Sequence, residues 1–369
     1  MQTSEYIETV VIGGGQAGLA TGYHLSRRGR EFVILDAGQR VGDNWRRHWD
    51  SLRLYSPAGH DALPGKPFPG SRHAFPGKDE LADYLESYAR ELDLPVRNGT
   101  RVHRLSHDGR RYVIECGSGS ISCDNVVVAT GTFGRTPRVP EFAGALDPAI
   151  LQLHSSEYRN PEQLREGPVL VVGASHSGGD IALEVAATHE TILCGRDTGQ
   201  IPVPWETRRL RMAFPVFWLV WGTLLSVRTP MGRKERVEAR SHGAPFLRVK
   251  REDLAAAGVE RVTDRVTGVR DGLPLLGDDR PVDVSNVVWC TGFRQDFSWI
   301  DLPVTGEDGW PLEERGVVPS APGLYFTGLC FQSSFRSMLV GGAGADAEHV
   351  VRHLAARRAK AGPALQKAA

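Results

Sequence analysis

The chain lacks the cysteine patterns that define zinc sites, redox dithiols and disulfide frameworks. Its five cysteines are scattered, and no two of them form a C-x-x-C pair: Cys116, Cys123, Cys194, Cys290 and Cys330. A dithiol reductase of the thioredoxin-reductase type needs such a pair, so the sequence excludes this class of enzyme. Scattered cysteines are typical of a reducing compartment, and we expect a cytoplasmic protein that binds no metal.

The chain also lacks a net charge and the pattern of a signal peptide. Across 369 residues, 44 Lys and Arg balance 44 Asp and Glu. No global positive field exists to attract nucleic acid, so we expect no partner of that class. The N-terminus, MQTSEYIETVVIGGG, has no basic region followed by an apolar stretch, so we expect that it is not a signal peptide. The length exceeds what one ordinary core fills, which favours two domains.

No apolar run is long enough to cross a membrane as a helix. The segment MAFPVFWLVWGTLLSV, residues 212–227, is apolar and has arginines on both sides. It contains a proline and is shorter than the roughly 20 residues that a spanning helix needs. We expect a buried or substrate-covering helix here in preference to contact with a membrane surface.

What the chain does contain is a glycine turn close to its start. In TVVIGGGQAG, residues 9–18, the glycines follow the spacing G-x-G-x-x-G between a strand and a helix. The first glycine allows the sharp turn, the second lets the backbone approach a pyrophosphate, and the third lets helix and strand pack closely. The N-terminus of the helix then offers free N–H groups to the phosphates. The predicted cofactor contacts in this turn are Gly13, Gly15, Gln16, Ala17 and Gly18.

A second glycine turn occurs in the middle of the chain. VLVVGASHSGGD, residues 169–180, again passes from an apolar strand through small residues into a helix. Ser175 takes the place of the middle glycine, and its hydroxyl, like that of Ser177, is able to donate to a phosphate. His176 is expected to pack or to face solvent, since a loop histidine beside phosphates does so more often than it acts as a base. The predicted cofactor contacts in this turn are Gly173, Ser175, Ser177 and Gly178.

The two units differ in charge at one matching position. Asp36 and Arg196 each follow the second strand of their unit, the same number of positions after Gly13 and Gly173. A carboxylate there accepts hydrogen bonds from a free ribose and repels a 2′-phosphate, whereas an arginine pairs with that phosphate. The first unit therefore suits FAD and the second suits NADPH. Asp197, next to Arg196, weakens this preference, and a solvated surface arginine is the alternative interpretation.

Taken together, these features resemble the flavin-dependent monooxygenases with two dinucleotide-binding domains, which include the microsomal-type, plant YUCCA-type and bacterial CzcO-like flavoproteins. The resemblance extends over about residues 7–355 and includes VGDNWRRHWDSLRLYSP after the first unit. It implies an α/β fold with two Rossmann-like domains in the glutathione-reductase-like arrangement, the NADPH domain being inserted into a discontinuous FAD domain. The implied domains are 1–164 (FAD, first part), 165–285 (NADPH, with a substrate-access insertion at about 201–250), 286–358 (FAD, second part) and 359–369 (a disordered tail).

The resemblance implies further cofactor contacts. The family lays a tryptophan of the loop, here Trp45, against the flavin, and contacts the adenine through the backbone at the position of Val102. The segments 126–134 and 287–293 match those that cross between the two domains, and GLYFTGL matches the closing flavin segment. These matches add Trp45, Val102, Thr130, Gly131 and Gly328 to the predicted cofactor contacts.

The chain departs from the family at two places. The fingerprint F-x-G-x-x-x-H-x-x-x-Y/W keeps its histidine and tyrosine, as His154 and Tyr158, but Pro148 and Ile150 occupy its first two positions. A tyrosine at its end favours heteroatom or YUCCA-type oxygenases over Baeyer–Villiger enzymes. Tyr55 stands where microsomal-type members have an asparagine near the oxygen-bearing carbon of the flavin, which removes that route of stabilising an oxygen intermediate.

The function that follows is an FAD-dependent, NADPH-using monooxygenase. It would transfer one oxygen atom from a flavin hydroperoxide to a small molecule at a nitrogen, sulfur or activated carbon centre, with molecular oxygen as the co-substrate. One alternative is a flavoprotein oxidase or reductase that releases peroxide or reduces another acceptor. Another is a non-catalytic sensor that binds NADPH. No side chain is predicted to act as a catalytic acid or base, and His154 is expected to shape the hinge between the domains.

Overall fold

The structure, a computed structural model, describes residues 4–117, 119–132 and 136–365. Three stretches considered above fall outside these ranges: residues 1–3 of the N-terminus, residues 133–134 of the first crossing segment and the last four residues of the predicted tail.

Strands and helices alternate around each glycine turn, from β2 to β3 and from β11 to β12. The strands are β1 Ser4–Tyr6, β2 Thr9–Ile12, β3 Phe32–Leu35, β4 Val96–Arg97, β5 Val102–His107, β6 Tyr112–Cys116, β7 Gly119–Cys123, β8 Asn125–Val128, β9 Thr136–Pro137, β10 Leu151–His154, β11 Val169–Val172, β12 Thr191–Cys194, β13 Glu260–Val262, β14 Val266–Arg270, β15 Leu273–Leu276, β16 Asn286–Trp289, β17 Phe293–Arg294 and β18 Leu324–Phe326. The α-helices are α1 Gln16–Ser26, α2 Asp43–Arg46, α3 Lys78–Glu91, α4 His176–Val185, α5 Arg208–Thr223, α6 Pro230–Ser241, α7 Arg251–Ala256 and α8 Ala343–Leu365. Short 3-10 turns occupy Ala58–His60, Glu141–Ala145, Pro161–Gln163, Phe335–Met338 and Val340–Gly342.

The first unit is built on a five-stranded parallel sheet in the order β18-β8-β2-β3-β4. All four residues of β2 and of β8 are buried, as expected for apolar, β-branched strands that are covered on both faces. α1 packs against α8 on this sheet, so the end of the chain returns to its beginning. The first unit is therefore discontinuous in sequence.

Helix α3 of the first unit is amphipathic. Leu81, Tyr84, Leu85 and Tyr88, at helical spacing, are all buried on one face. The first turn carries acidic residues, and the Glu80 carboxylate accepts a 2.7 Å hydrogen bond from the amide of Gly77. Such a bond satisfies a free N–H group at the start of the helix.

The second unit is a five-stranded parallel sheet in the order β10-β16-β11-β12-β13. This sheet corrects the predicted boundaries at 164/165 and 285/286. β16 pairs with both β10 and β11, so Leu151–His154 and Asn286–Trp289 belong to the second sheet although they flank the predicted domain. The register of the pairing decides this, because a strand that is hydrogen-bonded on both sides cannot be assigned to the other sheet.

Smaller sheets connect and cover the two units. A four-stranded sheet, β1-β7-β6-β5, stands beside the first unit. β9 and β17 form an antiparallel pair in which Thr136 faces Arg294. This pair joins the chain just after the predicted crossing segment 126–134 to the end of the other, 287–293.

The insertion and the end of the chain are helical. α5 and α6 form most of the predicted insertion at 201–250. α8 continues to Leu365, whereas the sequence predicted a disordered tail from residue 359. Within the described residues, no helix combines the length and the apolar character that crossing a membrane requires.

Candidate functional site

The two glycine turns are built in the same way. Gly13 has a φ of +114° and Gly173 a φ of +112°, values that an L side chain rarely adopts. A Cβ on Gly13 would lie 2.4 Å from the carbonyl oxygen of Ala129, and one on Gly173 would lie 2.2 Å from that of Cys290. Ala129 directly follows β8, and Cys290 directly follows β16. In each unit the residue after this neighbouring strand is therefore packed on the glycine turn, and only glycine fits there.

The other glycines of the two turns have two roles: Gly18 and Gly178 pack against backbone, and Gly15 leaves space for a ligand. A Cβ on Gly18 would lie 1.8 Å from the carbonyl oxygen of Gly13, and one on Gly178 would lie 1.7 Å from that of Gly173. These two glycines let each helix approach its own turn. Gly15, in contrast, has nothing within 4 Å of its Cβ position. The space at Gly15 is open to a ligand, as the pyrophosphate interpretation requires.

Asp36 is held by the backbone around it. Its Oδ2 accepts a 2.5 Å hydrogen bond from the amide of Gly14, and its Oδ1 accepts a 2.7 Å bond from the amide of Gly38. The carbonyl oxygen of Asp36 accepts a 2.7 Å bond from the amide of Thr100, two residues before Val102. The acid and the start of β5 are thereby brought to the same end of the sheet. Each carboxylate oxygen has a further lone pair that is able to accept a ribose hydroxyl.

Two distant segments reach the N-terminus of α1. The indole Nε1 of Trp45 donates a 3.3 Å hydrogen bond to Oε1 of Gln16. Gly328, with a φ of +80°, lies so close to Ala17 that a Cβ on it would be 2.7 Å from the Cβ of Ala17. The structure thus brings together the loop, the turn and the closing segment that the resemblance assigned to the flavin.

The end of β8 carries the feature that best fits a bound dinucleotide. Oγ1 of Thr130 is buried and has no hydrogen-bond partner among the described residues. Gly131, next to it, has a φ of +75° and open space at its Cβ position. A buried hydroxyl without a partner is costly unless something binds it. The polar groups of FAD at this turn would supply that partner.

The second turn differs because a loop of the insertion lies on it. Oγ of Ser175 donates a 2.7 Å hydrogen bond to the carbonyl oxygen of Ala244, and a Cβ on Gly243 would lie 3.0 Å from the Cβ of Ser175. The Ser175 hydroxyl, predicted to meet a phosphate, is therefore bonded to protein here. Ser177 is half-buried and remains a predicted contact.

His176 packs, as expected. Its ring lies 4.8 Å from the ring of Tyr55, and its Nε2 is buried without a partner among the described residues. Burial lowers the pKa of His176 to about 4, so the ring is neutral at physiological pH.

Arg196 is exposed at the end of β12. Its acidic neighbour is engaged elsewhere: Oδ2 of Asp197 forms a 2.5 Å ion pair with the guanidinium of Arg251. The hydrogen bond from Arg251 also lowers the pKa of Asp197. Arg251 thus partly neutralises the Asp197 carboxylate, which was expected to weaken the preference of Arg196 for a 2′-phosphate.

The sequence did not reveal a partly buried polar network between the two units. The Tyr55 hydroxyl donates a 2.7 Å hydrogen bond to Oδ2 of Asp180 on α4. The guanidinium of Arg248 lies 3.3 Å from the same oxygen and 2.8 Å from Oε1 of Glu206. Arg53 pairs with the other oxygen of Glu206 at 3.2 Å. We refer to these five residues, Arg53, Tyr55, Asp180, Glu206 and Arg248, as the interdomain network.

This network connects three parts of the chain. Its members come from the loop after α2, from α4 and from the insertion, and the Arg248 guanidinium also donates to the carbonyl oxygen of Leu54 at 3.1 Å. Burial raises the pKa of Tyr55. Burial also raises the pKa of Asp180, and this effect exceeds the opposite effect of the neighbouring Arg248. No local sequence pattern predicts the interdomain network, because its members are far apart in sequence.

The fingerprint residues form hydrogen bonds within the second unit and to the segment that leaves its sheet. His154, at the end of β10, places its Nε2 3.0 Å from the carbonyl oxygen of Gly292, in the second crossing segment. The buried Tyr158 donates a 2.9 Å hydrogen bond to Oε2 of Glu184 on α4. The two side chains therefore hold the end of β10 and the residues after it in place on the second unit.

The thiols of the chain are unsuited to redox chemistry in this structure. All five cysteines are free. Burial raises the pKa of Cys290, which lies at the second turn, to about 12, and that of Cys123 also to about 12. A thiol of this kind is neutral and a poor nucleophile at physiological pH. Within the described residues, no group of three or more His, Cys, Asp or Glu is placed to hold a metal ion.

Comparison with known proteins agrees with this architecture. The model of the family described as pyridine nucleotide-disulphide oxidoreductase matches residues 10–202. An uncharacterized CzcO-like oxidoreductase of Geobacillus kaustophilus is 36% identical over 94% of this chain and 98% of its own length.

Named monooxygenases are more distant. The probable indole-3-pyruvate monooxygenase YUCCA7 of Arabidopsis thaliana is 27% identical and is matched over 94% of this chain and 87% of its own length. Among solved structures, a flavin-containing monooxygenase from Stenotrophomonas maltophilia is 28% identical, with a TM-score of 0.74. That match covers 96% of this chain and 99% of the other.

Proposed function

The chain belongs to the pyridine nucleotide-disulphide oxidoreductase family and to its CzcO-like oxidoreductases, and from that membership we propose that it is an FAD-dependent monooxygenase that uses NADPH. Its substrate would be a small molecule oxidised at a nitrogen, sulfur or activated carbon centre by molecular oxygen. The binding of FAD and of a nicotinamide dinucleotide is typical of the family. The choice of NADPH and the oxygen transfer are what we add.

The observation that carries the proposal is the pair of turns with opposite charges at matching positions. Gly13 and Gly173 are packed alike. The strand after each turn, however, is followed by Asp36 in the first unit and by Arg196 in the second. Two dinucleotides that differ in a 2′-phosphate are sorted by such a pair. A chain that holds both has the parts needed to pass a hydride from NADPH to a flavin, which when bound would supply the redox chemistry with oxygen.

The residues of this chain would bind and orient the cofactors. The first turn, Asp36, Thr130 and Trp45 would hold FAD, and the second turn and Arg196 would hold NADPH. The interdomain network would keep the two units in register, since it joins α4 to the loop after α2. No residue of the site is assigned a proton transfer.

Three findings support an oxygenase over a dithiol reductase and over a sensor of NADPH alone. The neutral thiol of Cys290 and the lack of a C-x-x-C pair argue against dithiol chemistry. The open space at Gly15 and the Trp45–Gln16 contact support a flavin site, which a sensor of NADPH alone does not need. The named monooxygenases among its relatives support the same choice.

One observation favours a second candidate, an NADPH oxidase or reductase. Tyr55 directs its hydroxyl to Asp180 of the second unit, so it does not act as a substitute for the family's asparagine. Without that amide, oxygen would more readily leave as peroxide. Measuring NADPH consumption against product and peroxide distinguishes the two candidates.

The test is a set of turnover measurements on the purified holoenzyme with amine, thioether and ketone substrates. The monooxygenase proposal predicts a yellow protein that NADPH bleaches, and peroxide formation that falls as oxygenated product appears. Peroxide equal to the NADPH consumed with every substrate would favour the oxidase. A colourless protein that does not take up added FAD would overturn both.

A further inference from the structure

The insertion contains a segment whose charge differs from that of the whole chain. Residues 207–234 hold six basic residues and no acidic one, although the chain as a whole is neutral. The basic residues are Arg208, Arg209, Arg211, Arg228, Arg233 and Lys234. This segment forms α5, the turn after it and the start of α6.

One face of α5 is fixed on the first unit. Leu210 and Phe214 are buried, and the rings of Phe214 and Trp218 lie 4.8 and 5.0 Å from the ring of His60. Trp221 lies 5.0 Å from Phe335. Aromatic contacts along the whole helix determine which face points inward, and therefore which face points out.

The opposite face of α5 is apolar and exposed. Met212 is 72% exposed, Val216 63% and Leu219 62%, a spacing that places them in line along one side of the helix. Leu224, at the end of the helix, is 53% exposed. At 100° per residue Leu224 points more than 100° away from that line, so we refer to Met212, Val216 and Leu219 alone as the outer stripe; at 1.5 Å per residue it is about 10 Å long. Single exposed apolar residues are ordinary, whereas a continuous stripe marks an interaction surface.

The exposed basic residues lie at the ends of the outer stripe. Arg208 precedes Met212 by one helical turn on the same side, and Arg209 beside it is also exposed. Arg228, Arg233 and Lys234 are exposed beyond the other end. A surface that meets this face must accept apolar side chains in its centre and supply negative charge at both ends.

We propose that the outer stripe and its flanking basic residues dock the protein on the surface of an anionic lipid bilayer. The apolar side chains enter the boundary between headgroups and acyl chains, and the arginines and lysine meet lipid phosphates. α5 lies on the bilayer and does not cross it, in keeping with its 16 residues and its internal Pro215. The docking does not depend on which reaction the flavin performs.

A second copy of the chain fits this face poorly. A two-fold interface between copies would place the same surface against itself, with Arg208 and Arg209 facing basic residues and no acid within 207–234 to pair with them. Like charges across an interface are unfavourable. An anionic bilayer meets both the apolar centre and the basic ends.

The test is co-sedimentation of the holoenzyme with vesicles of phosphatidylcholine alone and with vesicles that also contain phosphatidylglycerol. We expect binding to the anionic vesicles that weakens as salt is added. The double variant Val216→Glu, Leu219→Glu should bind at least about tenfold more weakly, because each change removes a large apolar group from the lipid. Arg208→Ala and Arg209→Ala should each weaken binding about fivefold.

The control is Leu312→Glu, which changes an apolar residue that is 53% exposed but lies outside the insertion. It should bind like the unaltered protein, and the FAD content of every variant should be unchanged. No binding to anionic vesicles, or equal loss in the control, overturns the proposal. So does sedimentation velocity that shows a dimer dissociated by Val216→Glu, since that result assigns the stripe to contact between copies.

Discussion

The hydroxyl of Tyr55 donates a 2.7 Å hydrogen bond to Oδ2 of Asp180, across 125 positions of sequence. Tyr55 comes from the loop after α2, whose residues Trp49 and Leu52 are also buried in the core of the second unit. Asp180 stands on α4, directly after the second glycine turn. The bond therefore connects the loop of the first unit to the helix that would meet the phosphates of NADPH.

Tyr55→Phe should destabilise the protein by about 1–3 kcal/mol. The change removes the hydroxyl and leaves Asp180 with Arg248, 3.3 Å away, so a buried carboxylate loses a hydrogen bond. Urea unfolding of the holoenzyme measures the loss. Tyr6→Phe is the matched control, because Tyr6 donates a 2.9 Å bond to Asp124 on the exposed surface and should cost far less. Equal losses in the two variants would contradict the buried role of Tyr55.

Gly15→Ala and Gly18→Ala should fail in different ways. Gly15 has a φ of −77° and free space around it, so alanine there should leave the fold intact and reduce FAD content through its methyl group alone. At Gly18 the Cβ would lie 1.8 Å from the carbonyl oxygen of Gly13, so that variant should be unstable. Flavin absorbance and thermal unfolding separate the two effects. A stable Gly15→Ala protein with full FAD content would falsify the pyrophosphate assignment.

Arg196→Ala should raise the KM for NADPH and leave that for NADH almost unchanged. The loss of a charge-assisted bond of about 1.5–3 kcal/mol corresponds to roughly a tenfold to hundredfold change. Steady-state kinetics with both coenzymes measure it, and Arg110→Ala, an exposed arginine in the β5–β6 turn, is the control. If both coenzymes lose equally, Arg196 does not contact the 2′-phosphate.

Asp61 should make stability fall as pH rises. Burial raises the pKa of Asp61 to about 8, against an ordinary value of 3.8, although the Ser56 hydroxyl donates a 2.5 Å bond to it. Between these two values the folded protein holds a proton that the unfolded chain releases. The contribution of this group is therefore largest below pH 3.8 and is lost as the pH rises toward 8, by at most about 1.4 kcal/mol per pH unit.

Asp61→Asn removes this titration while keeping the size of the side chain. Its midpoint of thermal unfolding should therefore rise relative to that of the unaltered protein as the pH is taken from acidic to alkaline. Asp108→Asn, at an exposed turn where backbone amides lower the pKa of the carboxyl, should produce no such trend. Parallel pH profiles for Asp61→Asn and the unaltered protein would show that the pKa of Asp61 is not raised by folding.

Much of the candidate site could be predicted because its requirements are local. Within one strand–turn–helix–strand stretch, Gly13 needs a positive φ, Gly18 packs on the carbonyl of Gly13, and Asp36 accepts a hydrogen bond from Gly14. The fit of Thr130 and Gly328 depended on the family resemblance, since their partners lie elsewhere in the chain. The role of Ser175 was read from its position in the turn alone, and the structure shows that Ala244 takes its hydroxyl.

The domain boundaries show the same division. Val169–Val172 was recognised as a strand from its apolar residues, but no local signal showed that β10 and β16 join it in one sheet. Strand order is a matter of pairing between distant segments. The apolar segment at 212–227 was likewise recognised as helical, while its inward and outward faces depended on contacts with His60 and Phe335.

The sequence alone determined the two glycine turns, because the positive φ at Gly13 and Gly173 favours glycine a residue after a strand. It also determined the opposite charges beside the turns, which are those of Asp36 and Arg196. The tertiary structure alone decided which side chains join the two units and which apolar side chains stay exposed. Tyr55 and Asp180 meet only after both units have folded. Met212, Val216 and Leu219 remain in solvent because the inward side of α5 is already taken by aromatic contacts.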